Sequence, residues 1–257
     1  MNTRTAIGIV IASLFAAFIS GAIILAVGIT RPESSQKFYT FLSFIVGQSF
    51  MILPLVIYLS NKNEQLLHIL RIRSINLETA IATTSFSFGV IVLSDELDRI
   101  IQSIIPAPDY IINLGDLMRP DSLVGLTMLF IAVVLIAPLG EELLFRGFLQ
   151  QVLENQWKDV TRAILITSLL FSIIHMNLYW LVQIYILGIL LGLLCWKTNS
   201  IFPPLILHAM NNMTALLFSI INIDIYSFYI WNGHVAPWLI FLSIVCIIVG
   251  YRKISLS

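Results

Sequence analysis

Charged residues are scarce in this chain, and their scarcity indicates its solvent. Asp, Glu, Lys and Arg make up 11% of the 257 residues, hydrophobic residues make up 58%, and the mean hydropathy is +0.94. A soluble domain carries about 25% charged residues, so we expect lipid rather than water as the main solvent. The formal net charge is zero and there is no basic block, which argues against a nucleic-acid partner.

Cysteine is almost absent as well. The two cysteines, Cys195 and Cys246, lie far apart, and neither belongs to a CxxC or other metal-ligand spacing. We therefore expect inert packing residues and no disulfide framework. The H-E-x-x-H signature of zinc proteases is missing too. Ser172 lies three residues before His175, but no other feature marks it as a nucleophile.

Long apolar runs dominate instead. The first, 6–29, is longer than the apolar region of a signal peptide and matches the roughly 20 residues that cross a bilayer. We interpret it as a retained membrane helix. The later runs are continuous and lack the alternation of a membrane barrel, and those at 79–94 and 163–175 are the weakest. The candidate spans are 6–29, 38–59, 79–94, 122–140, 163–175, 178–196, 203–221 and 236–251.

The basic residues predict an orientation. With the N-terminus in the cytoplasm, ten Lys and Arg fall in inside segments and four in outside loops, including the acidic connection 95–121. This distribution follows the positive-inside rule. The sequence thus predicts an all-α, polytopic helical bundle of about eight transmembrane helices, with both termini cytoplasmic. Without an organelle signal, we expect the plasma membrane, and without repeats or linkers, one membrane domain over 1–257.

Ionisable residues inside such spans are costly and usually face a partner or an aqueous cavity. In the motif E-E-x-x-x-R, Glu142 and Arg146 are four residues apart on a helix, with the acid first, which favours an ion pair. Glu141 lies about 100° around the helix and has no local cation. Glu141 is therefore predicted to stay available. The alternative is an interfacial cluster at a helix end, with Arg146 reaching the lipid headgroups.

Two histidines lie in later spans. His175 ends the motif F-S-I-I-H, and a lone histidine in this position is more often a packed or turn residue than a catalyst. His208 and Asn212 in H-A-M-N-N are four residues apart and share one helix face, with polar contacts between helices as the alternative explanation. A carboxylate, two imidazoles and a carboxamide together suit hydrolysis, because they can accept a proton from water and donate hydrogen bonds to an oxyanion.

In this order on successive membrane helices, the three motifs resemble the CPBP family. That family comprises CAAX prenyl proteases of the Ras-converting-enzyme type and bacterial bacteriocin-processing or Abi proteins. The resemblance covers 120–221, a CAAX-protease-like catalytic core, whereas 1–119 carry no assigned motif. It implies a catalytic set and a supporting pair. Glu141 would be the acid/base, His175 would help to activate water, His208 and Asn212 would form the oxyanion site, and Glu142 with Arg146 would support the structure.

The family is often described as metalloproteases, which raises the question of a cofactor. Glu141, His175 and His208 would be a plausible zinc ligand set. If Glu141 bound zinc, however, it could not readily act as the base, and that task would fall to Glu142. We prefer water activation without a metal, so that no cofactor is required and zinc is the alternative.

The resulting hypothesis is an endopeptidase that cleaves a membrane-associated or lipidated peptide, including a prenylated CAAX-type one, within the lipid bilayer. One alternative is a non-catalytic immunity or scaffold protein of the same fold. A small-solute transporter is the other, although it would be expected to show repeated halves.

Helix geometry sets one condition on this site. His208 is five residues past Pro203, about 8 Å along a helix, whereas His175 is some 12 residues past Ala163, about 18 Å. Vertical helices would keep these side chains apart. We therefore predict strong tilt or a hairpin that turns within the protein after His175. Glu141, His175, His208 and Asn212 would then meet at the floor of a water-accessible chamber open toward the cytoplasm.

Overall fold

The computed structural model describes residues 1–62, 69–220 and 226–254, and it shows an all-α membrane helical bundle. The predicted span 203–221 ends on a residue outside this part. The helices are α1 Thr3–Ile29, α2 Glu33–Met51, α3 Leu53–Asn61, α4 Leu77–Ile104, α5 Asp109–Met118, α6 Leu123–Trp157, α7 Val160–Ile173, α8 Leu181–Thr198, α9 Phe202–Ile220, α10 Tyr226–Tyr229 and α11 Pro237–Lys253; strands β1 Ile230–Trp231 and β2 His234–Val235 form one short hairpin.

Helices α1 and α2 form an antiparallel pair at one side of the bundle. The Asn2 side chain accepts a hydrogen bond from the Thr5 amide at 2.8 Å and so caps the start of α1. The pair packs closely through small residues, since a methyl group added at Gly47 would lie 3.0 Å from the Ala17 carbonyl oxygen. The predicted span 38–59 is divided between α2 and α3, because Pro54 cannot donate the backbone hydrogen bond that a continuous helix needs.

Large apolar side chains cover the outside of these helices. On α1, Phe15, Ile19 and Ile23 are each more than half exposed. Such a surface would be unfavourable in water, and it is expected for helices in contact with lipid tails. Of the described helices, 3–29, 35–61, 77–104, 123–157 and 181–198 are long and apolar enough to cross a membrane. The chain is therefore a multi-pass membrane protein.

Not all eight predicted spans meet that criterion. α7 has 14 residues, which is about 21 Å and less than the hydrocarbon thickness. α9 and α11 are helical as predicted, but they are not among the helices that qualify by length and composition.

The prediction of a long connection between spans over 95–121 is wrong in its first part. Helix α4 continues to Ile104 and carries Asp95 and Asp98 on its last turns. Local pairs stabilise this extension: Arg99 Nε donates to Asp95 at 2.8 Å and Gln102 Nε2 donates to Asp98 at 2.5 Å, each across four residues.

Helix α6 carries the first motif and continues beyond residue 140, where the predicted apolar span ends, in agreement with the helical placement of Glu142 and Arg146. It consists of Leu123–Phe130, a π-helical segment Ile131–Ile136, Ala137–Glu141, a second π-helical segment Glu142–Gln150, and Gln151–Trp157. Every residue from 140 to 150 is buried, so the helix continues into protein rather than ending at the lipid surface. π-helical turns inside α-helices occur frequently at functional sites.

Close backbone approach accompanies this burial. A methyl group at Gly147 would lie 2.6 Å from the Leu70 carbonyl oxygen, so only glycine fits there. Further along α6, Gln150 Nε2 donates to the Gly192 carbonyl at 3.0 Å, and Glu154 forms an ion pair with Arg71. The two cysteines of the described chain are free, in agreement with the absence of a disulfide framework.

Candidate functional site

Glu141 lies at the meeting point of three separate segments. Its Oε2 atom is 3.7 Å from His208 Nε2 on α9 and 4.0 Å from His175 Nε2 in the turn after α7. The Glu141 residue is 7% exposed, and Oε2 has no hydrogen-bond partner in the described part of the chain. A buried carboxylate oxygen without a donor is costly and needs an explanation. The predicted convergence of Glu141, His175 and His208 is thus present.

The His175 ring is oriented by the end of its own helix. α7 ends at Ile173, and His175 lies in the following turn, where its Nδ1 is 2.7 Å from the Phe171 carbonyl oxygen. A carbonyl only accepts, so Nδ1 carries a proton and Nε2 faces Glu141. The chain remains non-helical from 174 to 180, and Met176 adopts φ 49°. His175 is therefore both a turn residue and part of the cluster. An irregular turn follows His175 as predicted, but protein does not enclose it, since Met176 and Leu178 are 74% and 83% exposed.

The Glu142 carboxylate orients the His208 ring, as the Phe171 carbonyl orients the His175 ring. Its Nδ1 lies 2.8 Å from Glu142 Oε1, which also accepts from Arg146 Nη1 at 3.0 Å. The predicted Glu142–Arg146 ion pair is therefore present. Glu142 and Arg146 are both 0% exposed, so Arg146 does not reach the lipid headgroups. The alternative of an interfacial cluster at a helix end is therefore wrong. With Nδ1 donating to Glu142, the Nε2 atom of His208 faces Glu141.

Phe171 separates the buried cation from the imidazoles. Its ring lies 4.1 Å from the Arg146 guanidinium carbon, 4.8 Å from the centre of the His175 ring and 5.7 Å from that of His208. Arg146 gains a cation–π contact and a second acceptor, the Gly188 carbonyl at 3.2 Å. The cation is thus satisfied by Glu142, the Gly188 carbonyl and the Phe171 ring.

Asn212 does not join the hydrogen-bonded cluster. Its Nδ2 donates to the Val133 carbonyl in the first π-helical segment at 2.9 Å, and its Oδ1 accepts from Asn211 at 3.3 Å. In the described chain it makes no hydrogen bond to Glu141, His175 or His208. Asn212 therefore makes polar contacts between helices, as the alternative explanation of its motif states. One N–H of its amide remains for another acceptor.

A cavity of about 440 Å³ leads to Glu141 and His175. Its other walls come from α1, α2 and the turn 174–176, and they are mainly apolar or small, as at Leu14, Ala22 and Met51. Ala17, another wall residue, lies about 20 Å from either end of α1 by helical rise. The cavity therefore lies near the middle of a membrane-spanning helix. No sequence motif marked α1 and α2 as part of the site.

The zinc alternative stays a prediction. Among the described residues, no group of three or more His, Cys, Asp and Glu side chains is arranged so that it could hold a metal ion. The set Glu141, His175 and His208 has its nitrogens 4.0 and 3.7 Å from the carboxylate oxygen. The proposed reaction uses the side chains alone.

Fold and site define a polytopic membrane protein in which a buried carboxylate lies beside two imidazoles. Residues 123–214 match the family described as Type II CAAX prenyl endopeptidase Rce1-like. This core is thus similar to the Rce1-like family, and the resemblance carried by the three motifs is confirmed. The match contains Glu141, His175, His208 and Asn212.

Two relatives extend the comparison. An uncharacterized 24.3 kDa protein of Escherichia coli is 31% identical over 119 residues, which are 44% of this chain and 53% of that protein. The chain thus covers about half the length of this relative. The UPF0177 protein YbdI of Lactococcus lactis subsp. lactis (strain IL1403) is 26% identical over 191 residues, 74% of this chain and 99% of the relative. No solved structure matches the chain.

Proposed function

We propose that the protein is an intramembrane endopeptidase that hydrolyses a peptide bond by means of Glu141 and His175. The main support is the Glu141 carboxylate oxygen, which is buried, has no hydrogen-bond partner in the described chain and faces the Nε2 atoms of two imidazoles. The Rce1-like core at 123–214 supports a peptidase of the same kind. The location in the plasma membrane with cytoplasmic termini is part of this proposal.

Glu141 and His175 are placed to hold one water molecule. Their 4.0 Å separation is too long for a direct hydrogen bond and suits a water that donates to both acceptors. In the proposed step, Glu141 takes a proton from this water while the water oxygen bonds to the substrate carbonyl carbon. The carbonyl π electrons move to oxygen. Glu141 then returns the proton to the leaving nitrogen as the C–N bond breaks.

His208 and Asn212 would stabilise the oxyanion. His208 can donate from Nε2 only when Nδ1 is protonated as well, and Glu142, which accepts from Nδ1, stabilises that positively charged ring. Asn212 would contribute its remaining N–H. Binding of the substrate must move this amide toward the substrate carbonyl. Catalytic hydrogen bonds are often long in a structure without substrate and shorten when the substrate binds.

The cavity walls indicate the class of substrate. Helices α1 and α2 contribute apolar and small side chains, among them Phe18 and Leu25, which are 52% and 41% exposed on the outside of the bundle. A substrate entering there would come from the lipid rather than from water. We therefore propose a membrane-associated or lipidated peptide, including a prenylated CAAX-type one.

The test compares Glu141→Gln with wild type. The amide is isosteric and cannot take the proton, so cleavage should fall by at least about 100-fold, while the thermal transition of the purified protein stays the same. Glu33→Gln, at an exposed position, is the matched control. Membrane proteomics of cells carrying each variant should reveal a polypeptide that accumulates uncleaved only with Glu141→Gln.

Retained cleavage in Glu141→Gln would overturn the assignment of the base. A cellular phenotype that persists unchanged in both Glu141→Gln and His175→Asn would instead identify the non-catalytic membrane factor.

A further inference from the structure

A second cavity, of about 310 Å³, lies between α4, α8 and α9. It adjoins a face of α9 next to the one that carries His208. Polar side chains from all three helices line it, while most of the remaining wall is apolar, as at Ile91 and Leu187. The polar wall residues include Asp95, Asp98, Trp180, Gln183 and Asn211.

The acids near this cavity differ in their partners. Asp95 forms an ion pair with Arg99 at 2.8 Å. The Tyr229 hydroxyl also bonds to Asp95, and burial together with this carboxylate raises the pKa of Tyr229. Glu96, outside the cavity, pairs with His234 at 2.8 Å. Both acids thus have a basic partner.

Asp98 has only neutral donors. Trp180 Nε1 lies 3.1 Å and Gln183 Nε2 2.9 Å from its Oδ1, and Gln102 Nε2 lies 2.5 Å from its Oδ2. Within the ranges that the structure describes, no Lys, Arg or His forms an ion pair with it. Three oriented donors stabilise the carboxylate and fix its position, but they leave its negative charge uncompensated at the cavity wall.

Gln183 supplies a second, independent observation. This residue is 9% exposed, and its Oε1 is buried without a hydrogen-bond partner in the described chain, while its Nε2 is held by Asp98. An amide oxygen that lacks a donor therefore lies beside a carboxylate that has neutral donors but no counter-ion in the described chain. A ligand that brings a positively charged N–H group would satisfy both.

We propose that this cavity binds a protonated primary amine with a short apolar body. The ammonium group donates to Asp98 and to the Gln183 amide oxygen, and the body lies against apolar side chains such as Ile91, Ile184 and Leu187. A bare metal ion fits less well, because the described residues offer no group of three acidic or imidazole ligands and the cavity is large. The amine comes from a soluble compound or from an ethanolamine lipid headgroup.

Binding of hexylammonium to the full-length protein in detergent tests this proposal. Hexanol has the same apolar body without a charge and hexanoate a similar body with a negative charge, so only hexylammonium should bind and raise the thermal transition. Asp98→Asn should weaken hexylammonium binding about tenfold or more, because a charge-assisted hydrogen bond is lost. Glu96→Gln, on the same helix but outside the cavity, should leave the affinity unchanged.

Equal binding of hexanol, or unchanged affinity in Asp98→Asn, would refute the amine site. Gln183→Met, which removes the orphaned oxygen and leaves Asp98 charged, should also weaken binding, so the proposal stays testable if Asp98→Asn does not fold. The assay measures binding alone and is independent of peptidase activity.

Bilayer composition distinguishes the two sources. In phosphatidylglycerol bilayers with added phosphatidylethanolamine, a headgroup ligand would compete and raise the hexylammonium concentration at half saturation in wild type but not in Asp98→Asn. An unchanged half-saturation point would identify a soluble amine. Either result retains the site.

Discussion

Replacing Arg146 by Met should destabilise the protein strongly. The guanidinium is 0% exposed, pairs with Glu142 at 3.0 Å, donates to the Gly188 carbonyl at 3.2 Å and lies 4.1 Å from the centre of the Phe171 ring. Methionine fills much of the same space without the charge. The substitution therefore leaves Glu142 buried with only the His208 ring as a partner.

The magnitude follows from this geometry. At 3.0 Å and an effective dielectric constant of about 20, the Coulomb attraction is about 5–6 kcal/mol. Desolvation of both ions offsets much of it in the intact pair, but removal of one partner leaves that cost uncompensated. Breaking a buried pair typically costs about 3–5 kcal/mol, which we expect for Arg146→Met. Replacing both partners should cost much less than the sum of the single changes.

Equilibrium unfolding in mixed detergent micelles measures these free energies, and a double-mutant cycle with Glu142→Gln isolates the pair. A coupling energy of about 1–3 kcal/mol is expected. Arg162→Met is the matched control, since Arg162 is exposed and should change stability by no more than about 0.5 kcal/mol. The reasoning fails if Arg146→Met costs less than about 1 kcal/mol, or if the two single changes are additive.

Two further outcomes test the cavity and the chemistry. Ala22→Trp places an indole in the wall of the 440 Å³ cavity and should lower peptide turnover about tenfold or more without unfolding the protein, whereas Ile19→Trp, 57% exposed on the same helix, should not; equal turnover in both variants would show that the substrate uses another route. Prolonged chelation should leave turnover and the thermal transition unchanged, and elemental analysis of the active protein should find no stoichiometric metal, whereas loss of turnover restored by zinc would contradict direct water activation.

The sequence predicts the local part of the site best. Glu142 and Arg146 are four residues apart on one helix, so their pairing follows from helical geometry alone. The bond from Glu142 to His208 joins two distant helices and has no local signature. Sequence reasoning therefore assigned Glu142 a structural role but missed that it also orients an imidazole.

The same limit explains the errors in helix bounds. A polar run such as that after Gly140 is typical of the end of a membrane span, yet α6 continues to Trp157 and is buried at every residue from 140 to 150. Burial of this kind depends on tertiary packing, including the contact of Gly147 with the Leu70 carbonyl. The cavity walls on α1 were missed for a related reason, since apolar and small residues facing a cavity resemble those facing lipid.

The difference between Glu141 and Glu142 shows how one dipeptide can provide two functions. Glu142 is held by Arg146 and His208, and this contact fixes the imidazole whose other nitrogen faces Glu141. If Glu142 were free as well, His208 would lose its fixed tautomer and two carboxylates would compete for one cation. The buried pair therefore does more than stabilise α6: it keeps the neighbouring carboxylate without a cation of its own, as a general base for water requires.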